Sequence, residues 1–551
     1  MKNNLLTSQK KIFHYMKKRA LGYEEGHHFE LKNYRKNYVR YSNRTFKIAS
    51  EIELRQKLIK SQFIFVTDFH TFDQHVKNLL RLLNSLLKRK KNIILCLEML
   101  HDEDNYLLES FLERHITEIE FLESINYKES WKFPWTHYRK IFEYAKTYPN
   151  LKLRGINCKG TIEKRDQYAA RCIVEEWKLQ PEKTQFITFY GEYHLAPNKL
   201  PKLVFQLLDL LASTTPSKLI LHQNLDGPYW KMIEKKKIIG KDTVIKFNED
   251  EFCLLTSPTW MKYESLSYWY ENVHEDPEYD LHEFIIENGL KSFGENTLDN
   301  FSLLCNQIIV THELSLKVNE LHFTPYDQKN SVFVEKFIKK SFNLTGQKFY
   351  LSLLEMRESF VLAGLHRFFC SNYSINKLCK LAGEFLYQTY WFSKNKNTEI
   401  FQWPKGKETF FCFFVMSNFC AYFFAKGINP YLKCNLYLDI KDLVNTNDAK
   451  KNNAKEMLNN IRLLSMLDHP NNLSTILSKV NLHSTFQLAK SLGEIMAESY
   501  IHLIFSSEIQ YKGKDFESNI IYTPLHYENI AKLMNDVMPI PWFKLQRKRY
   551  F

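Results

Sequence analysis

The feature that most restricts the fold is an alternation, between residues 60 and 256, of short apolar runs with longer stretches of helical periodicity. Residues 63–67, 93–97, 151–156, 186–190, 218–221 and 252–256 are short and read as strands, 186–190 being β-branched and aromatic with no charge. Between them, residues 74–87 place Leu79, Leu80, Leu82, Leu83 and Leu86 on one broad face, and residues 131–148 carry Trp135, Tyr138, Ile141, Phe142 and Ala145 at helical spacing. Residues 102–114, 167–177 and 203–211 read as further helices. This rhythm predicts an α/β domain with a mainly parallel sheet covered by helices on both faces. Right-handed crossovers then bring successive strand ends to one edge.

That edge is where open α/β sheets bind ligands, so the residues just past each strand matter most. The run 185–197 ends its strand at Gly191, which permits a turn into Glu192, Tyr193 and His194. The strand at 63–67 runs into Asp68 and His70, that at 93–97 into Glu98, and that at 151–156 into Asn157. Two imidazoles and three carboxylates at one edge suit either a divalent metal, with His70, Glu98 and His194 as ligands, or general acid–base chemistry by Asp68, His70, Glu98, Glu192 and His194. Glu98 follows an apolar run, so desolvation would raise its pKa and a neighbouring cation would lower it. His75, His101 and His137 are expected at the surface, and Glu163, Lys164 and Arg165 as a solvated charge cluster.

The order Thr67-Asp68-Phe69-His70, Leu97-Glu98-Met99, Trp131-x-x-x-Trp135-x-x-Tyr138, Gly155-Ile156-Asn157 and Gly191-Glu192-Tyr193-His194 resembles that of ChaN-like haem-binding proteins. These belong with the erythromycin esterases and the Tiki/TraB proteins, and the resemblance covers roughly residues 60–260. It implies a bacterial protein that binds haem, or another iron-related small molecule, with Asp68, His70, Glu98 and His194 at the family's motif positions. An axial haem ligand would come from Tyr190, Tyr193, His70 or His194, with Asn157 beside them. The wider group also implies a hydrolase of the esterase or peptidase type as an alternative. The family's first motif reads Gly-Glu-x-His, whereas Thr67 and Asp68 stand here; the shorter carboxylate withdraws its oxygen by roughly 1.5 Å. A third reading is a non-catalytic interaction scaffold.

The rest of the chain sets the organisation. Residues 1–60 hold 15 Lys or Arg against 5 Asp or Glu, most of the chain's net +14. They are expected as a basic, solvated N-terminal arm over residues 1–58, with tyrosines and basic residues interleaved and no nucleic-acid motif. The α/β domain then spans 59–271, an acidic linker 272–281, and a mostly α-helical domain 282–551, in which 348–354 could be a strand. Residues 409–425 carry no charge, but their length and Ser417 and Asn418 favour a buried core helix over a transmembrane span. Ten cysteines at scattered positions, with no Cys-x-x-Cys, and no signal peptide or lipoprotein signal, lead us to expect a cytoplasmic protein. A homodimer is compatible with this organisation.

Overall fold

The computed structural model describes residues 2–23, 29–180, 183–211, 215–235, 242–273, 297–316, 322–362, 364–394, 406–434, 436, 471–506 and 509–538. The chain divides into two compact units: Ile12–Gly289, and Met1–Lys11 together with Leu290–Arg549. Most of the stretch expected as a linker, 274–281, lies outside the described residues.

The first unit is built on an eight-stranded sheet. Its strands are β1 (Lys47–Ala49), β2 (Phe63–Asp68), β3 (Ile93–His101), β4 (Leu151–Asn157), β5 (Gln185–Gly191), β6 (Lys218–Gln223), β7 (Thr243–Asn248) and β8 (Glu251–Leu255), in the order β1-β7-β8-β6-β2-β5-β3-β4. From β8 through β4 all neighbours are parallel, and β7 and β1 add an antiparallel margin. The uncharged runs form the centre because a strand covered on both faces must be apolar at every position. β2 and β5 are buried along their whole length. Phe63, Phe65, Phe186 and Ile94 pack with Ala169, Ala170 and Ile173 of the helix Ile162–Lys178 and with Val204 and Leu208 of the helix Leu200–Asp209. Alternation turns Ile64 and Val66 to the other face, and the helices Asp73–Leu87 and Trp135–Thr147 pack against β2 and β4.

Two details place the site. The parallel register sets Asp68 beside Gly191, so the ends of β2 and β5 lie side by side. β3 continues past the expected end at Leu97 to His101, with a register irregularity between Leu97 and His101 that carries Glu98 to the sheet edge. Opposite it, a Cβ on Gly155 would lie 2.6 Å from the His101 carbonyl oxygen, so only glycine allows β4 this close.

The N-terminal stretch is not a solvated arm. It forms the helices Lys2–Gly22 and Phe29–Ser42, and from the second Tyr34 and Tyr38 are buried. The Tyr38 hydroxyl meets His222 Nδ1 at 3.1 Å, Tyr41 donates to Glu251 at 2.5 Å, and the Arg44 guanidinium pairs with Glu251 at 2.6 Å. The tyrosines supply enough apolar ring area to dock a segment whose charge alone suggests solvation.

The second unit is mostly helical, with a small three-stranded sheet of β9 (Thr324–Asp327), β10 (Phe360–Leu362) and β11 (Arg367–Cys370) in the order β10-β11-β9. Residues 348–354 fall in the helix Leu344–Glu355, not in a strand. The helix Lys407–Ile428 is long and apolar enough to cross a membrane, yet 94% of its most apolar window is buried, against the helices Ile375–Lys394 and Leu482–Ser506.

Candidate functional site

The carboxyl edge of the sheet opens into a cavity of about 810 Å³ within the α/β unit, and the strand-end residues collect there. His70 is held from behind: its Nδ1 lies 2.9 Å from Asp68 Oδ2, which also accepts the Tyr138 hydroxyl at 2.8 Å. Its ring packs edge-on against Trp131 at 4.6 Å and on Phe133 at 4.8 Å. His194 repeats the arrangement, with Nδ1 2.5 Å from Asp166 Oδ1 and the Tyr190 ring 5.0 Å away. Between the two imidazoles lies Glu98. Its Oε2 is 3.7 Å from His70 Nε2 and its Oε1 is 3.8 Å from His194 Nε2. Glu98 Oε2 accepts the Gly191 N–H at 2.6 Å, and Glu98 Oε1 pairs with the Arg165 guanidinium.

The electrostatics follow from burial and neighbours. Burial pushes the Glu98 carboxyl up, but the charges of His70, Arg165 and His194 and the Gly191 N–H outweigh it and leave its pKa lowered. Burial alone would lower the His70 pKa, yet Glu98 and Asp68 prevail and raise it. Arg165 is also raised: burial opposes its charge and Glu98 overrides that.

Asp68, His70, Glu98, Asn157, Glu192, Tyr193 and His194 all line the cavity. Asn157 reaches the cluster through Arg165, whose Nε donates to Asn157 Oδ1 at 2.9 Å. Glu192 belongs to an adjoining group, 3.5 Å from the buried Lys262, which lies 3.4 Å from Asp226. Burial and Asp226 push the Glu192 carboxyl up, partly offset by Lys262. Tyr190 is placed in the hydrophobic core behind His194, fully buried, and does not line the cavity. Among the described residues no group of three His, Cys, Asp or Glu side chains is arranged to hold an ion, the trio His70, Glu98 and His194 included. Glu98 is instead occupied by Arg165 and a backbone N–H.

Three residues stand where the pattern did not lead. Arg165, read as solvated, is bound to Glu98, and Asp166 is the carboxylate behind His194. Asp166 carried a signal, since it shares a helical face with Ala169, Ala170 and Ile173, where a charge needs a partner. His75, expected at the surface, is fully buried and accepts the Phe69 N–H at 2.9 Å.

Residues 54–165 match the family described as haem-binding uptake, Tiki superfamily, ChaN. A solved structure, "Cofacial heme binding to ChaN of Campylobacter jejuni", is similar at 18% identity and a TM-score of 0.24, over 32% of this chain and 87% of that one. No curated protein matches the chain.

Proposed function

We propose that the α/β unit binds a haem-type ligand in this cavity. The observation that carries the reading is one of shape and lining: about 810 Å³, within the range of about 300–1,000 Å³ usual for ligand pockets, with aromatic side chains facing a polar floor. Trp131, Phe133, Trp269 and Tyr270 form the aromatic wall, with Phe133 and Trp269 stacked at 4.8 Å. Such a wall suits a flat macrocycle. Lys159 also lines the cavity and supplies positive charge for an acidic group of a haem. His70 is the axial candidate because its Nδ1 is anchored on a carboxylate, the usual support of a ligating imidazole; Tyr193, which also lines the cavity, is the phenolic alternative. When bound, haem would bring iron-centred ligand exchange and redox chemistry. The match of residues 54–165 to a haem-binding family supports the reading. The ten free thiols support a reducing, cytoplasmic location.

Titration of the apoprotein with haemin, followed by absorbance, tests it. A saturable Soret shift that His70→Ala or Tyr193→Phe alters is expected. A chain that produces no saturable shift would refute it.

One observation favours a hydrolase as the second reading: two carboxylate-backed imidazoles present their Nε2 atoms to one carboxylate. His70, with its raised pKa, is suited to give a proton, and His194 is held at Nδ1 by Asp166 so that its Nε2 is turned toward the same carboxylate. Ester and peptide substrates assayed on the parent and on His194→Ala separate the readings. Turnover that survives His194→Ala, or no turnover by the parent, counts against hydrolysis.

A further inference from the structure

The helix Phe29–Ser42 lies outside the stretch that matches the haem-binding family, yet it reaches the site. Leu31, Tyr34, Tyr38 and Tyr41 recur at intervals of three and four, so they share one helical face. That face does four things in succession. Leu31 lines the cavity, and Tyr34 donates its hydroxyl to Asp166 Oδ2 at 3.2 Å with its ring 5.7 Å from the His194 ring. Tyr38 meets His222 and packs edge-on against Tyr193, and Tyr41 holds Glu251.

Asp166 is 1% exposed, so both of its oxygens need donors from the protein. One oxygen takes His194 Nδ1 and the other takes Tyr34, a residue from a distant part of the chain. A carboxylate held by two donors on different oxygens has a fixed plane, and the imidazole bonded to it inherits that orientation. Without the phenol, Oδ2 would be left unsatisfied and the carboxylate free to rotate toward another donor. Lys199, whose ammonium lies 3.8 Å from the centre of the Tyr34 ring, makes a cation–π contact with the same phenol.

We propose that Tyr34 is a positioning residue of the site: through Asp166 it fixes the direction in which His194 presents Nε2 to the cavity, and so makes the helix Phe29–Ser42 part of the functional unit. The proposal rests on the reading that the cavity is the functional site, but its test does not depend on which ligand the cavity takes. Full-length chain labelled with ¹⁵N-histidine should show a low-field Nδ1–H resonance from the His194–Asp166 bond, assigned by its disappearance in His194→Gln. Tyr34→Phe, which removes only the hydroxyl, should shift that resonance and speed its exchange with water at least severalfold. Tyr41→Phe, which removes a hydroxyl bonded to Glu251 from the same helix, should leave it unchanged. A resonance that stays in place in Tyr34→Phe, or moves equally in Tyr41→Phe, overturns the proposal. If the parent gives no Soret shift with haemin, the haem reading fails while the resonance still decides the role of Tyr34.

Discussion

Gly191 offers the sharpest test of how tightly the site is built. Its backbone has φ −50° and ψ 136°, a conformation open to any residue, so glycine is not needed there for its freedom. It is needed for space. A Cβ at this position would lie 3.2 Å from each of Glu98 Oε2, His194 Cδ2 and His70 Nε2, and each neighbour would have to retreat by a few tenths of an ångström. None has slack: Glu98 is held by Arg165 and by the Gly191 N–H, His194 by Asp166 at 2.5 Å and His70 by Asp68 at 2.9 Å. Overpacking a well-filled interior costs about 1–3 kcal/mol, and three anchored neighbours displaced together place Gly191→Ala near about 2 kcal/mol, roughly a thirtyfold change in the folding constant. Chemical denaturation followed by tryptophan fluorescence reads the stability, and haemin titration reads the site. Gly22→Ala is the control, since a Cβ there meets nothing within 4 Å. If Gly191→Ala matches the parent within about 0.5 kcal/mol and binds haemin equally well, the claim of a tightly constrained cluster is wrong.

Three further outcomes are expected. His70 has a raised pKa, so its contribution is fully present below the unfolded value near about 6.5 and is lost as pH rises through the folded value; thermal unfolding over the neutral to mildly alkaline range should show that decline in the parent and lose it in His70→Gln. Glu251 is pushed down to about 2, burial being outweighed by His222, Arg44 and Tyr41, so about 3 kcal/mol of stability present above about pH 4.5 should vanish as pH falls toward 2, and Glu251→Gln should flatten that acid limb. Arg165→Met leaves Glu98, 3% exposed on its side chain, without its permanent counter-charge; a loss of about 3 kcal/mol by denaturation is expected, and an unchanged midpoint would show that the imidazoles suffice.

The central strands and their common edge were legible because a parallel strand buried on both faces must be a continuous apolar run, and such runs are conspicuous in β2, β3 and β5. The same logic placed Asp68, His70, Glu98, Asn157 and His194 at one cavity. What stayed hidden depends on pairing rather than on local pattern. β1 is only three residues long, and β7 is exposed or half-buried at several positions, so neither shows a continuous apolar run. The N-terminal tyrosines find buried acids and a histidine far along the chain, which no local window reports. Arg165 and Asp166 are adjacent in sequence but serve different imidazoles, and that division exists only once the helix Ile162–Lys178 is set against the sheet.

Thr67 and Asp68 each have a defined task in this site. Asp68 lines the cavity and also anchors His70. Its Oδ2 serves His70 Nδ1 and the Tyr138 hydroxyl, and the group facing both Nε2 atoms is Glu98 from the neighbouring region of the sheet. Asp166 plays the same anchoring role for His194. Thr67 has its own task, since its hydroxyl accepts the Gln223 N–H at 2.9 Å and its carbonyl accepts Gln223 Nε2 at 2.6 Å, tying β2 to β6. The site therefore has two tiers: an anchoring pair of aspartates that sets the direction of each imidazole, and a glutamate whose charge both imidazoles share with Arg165.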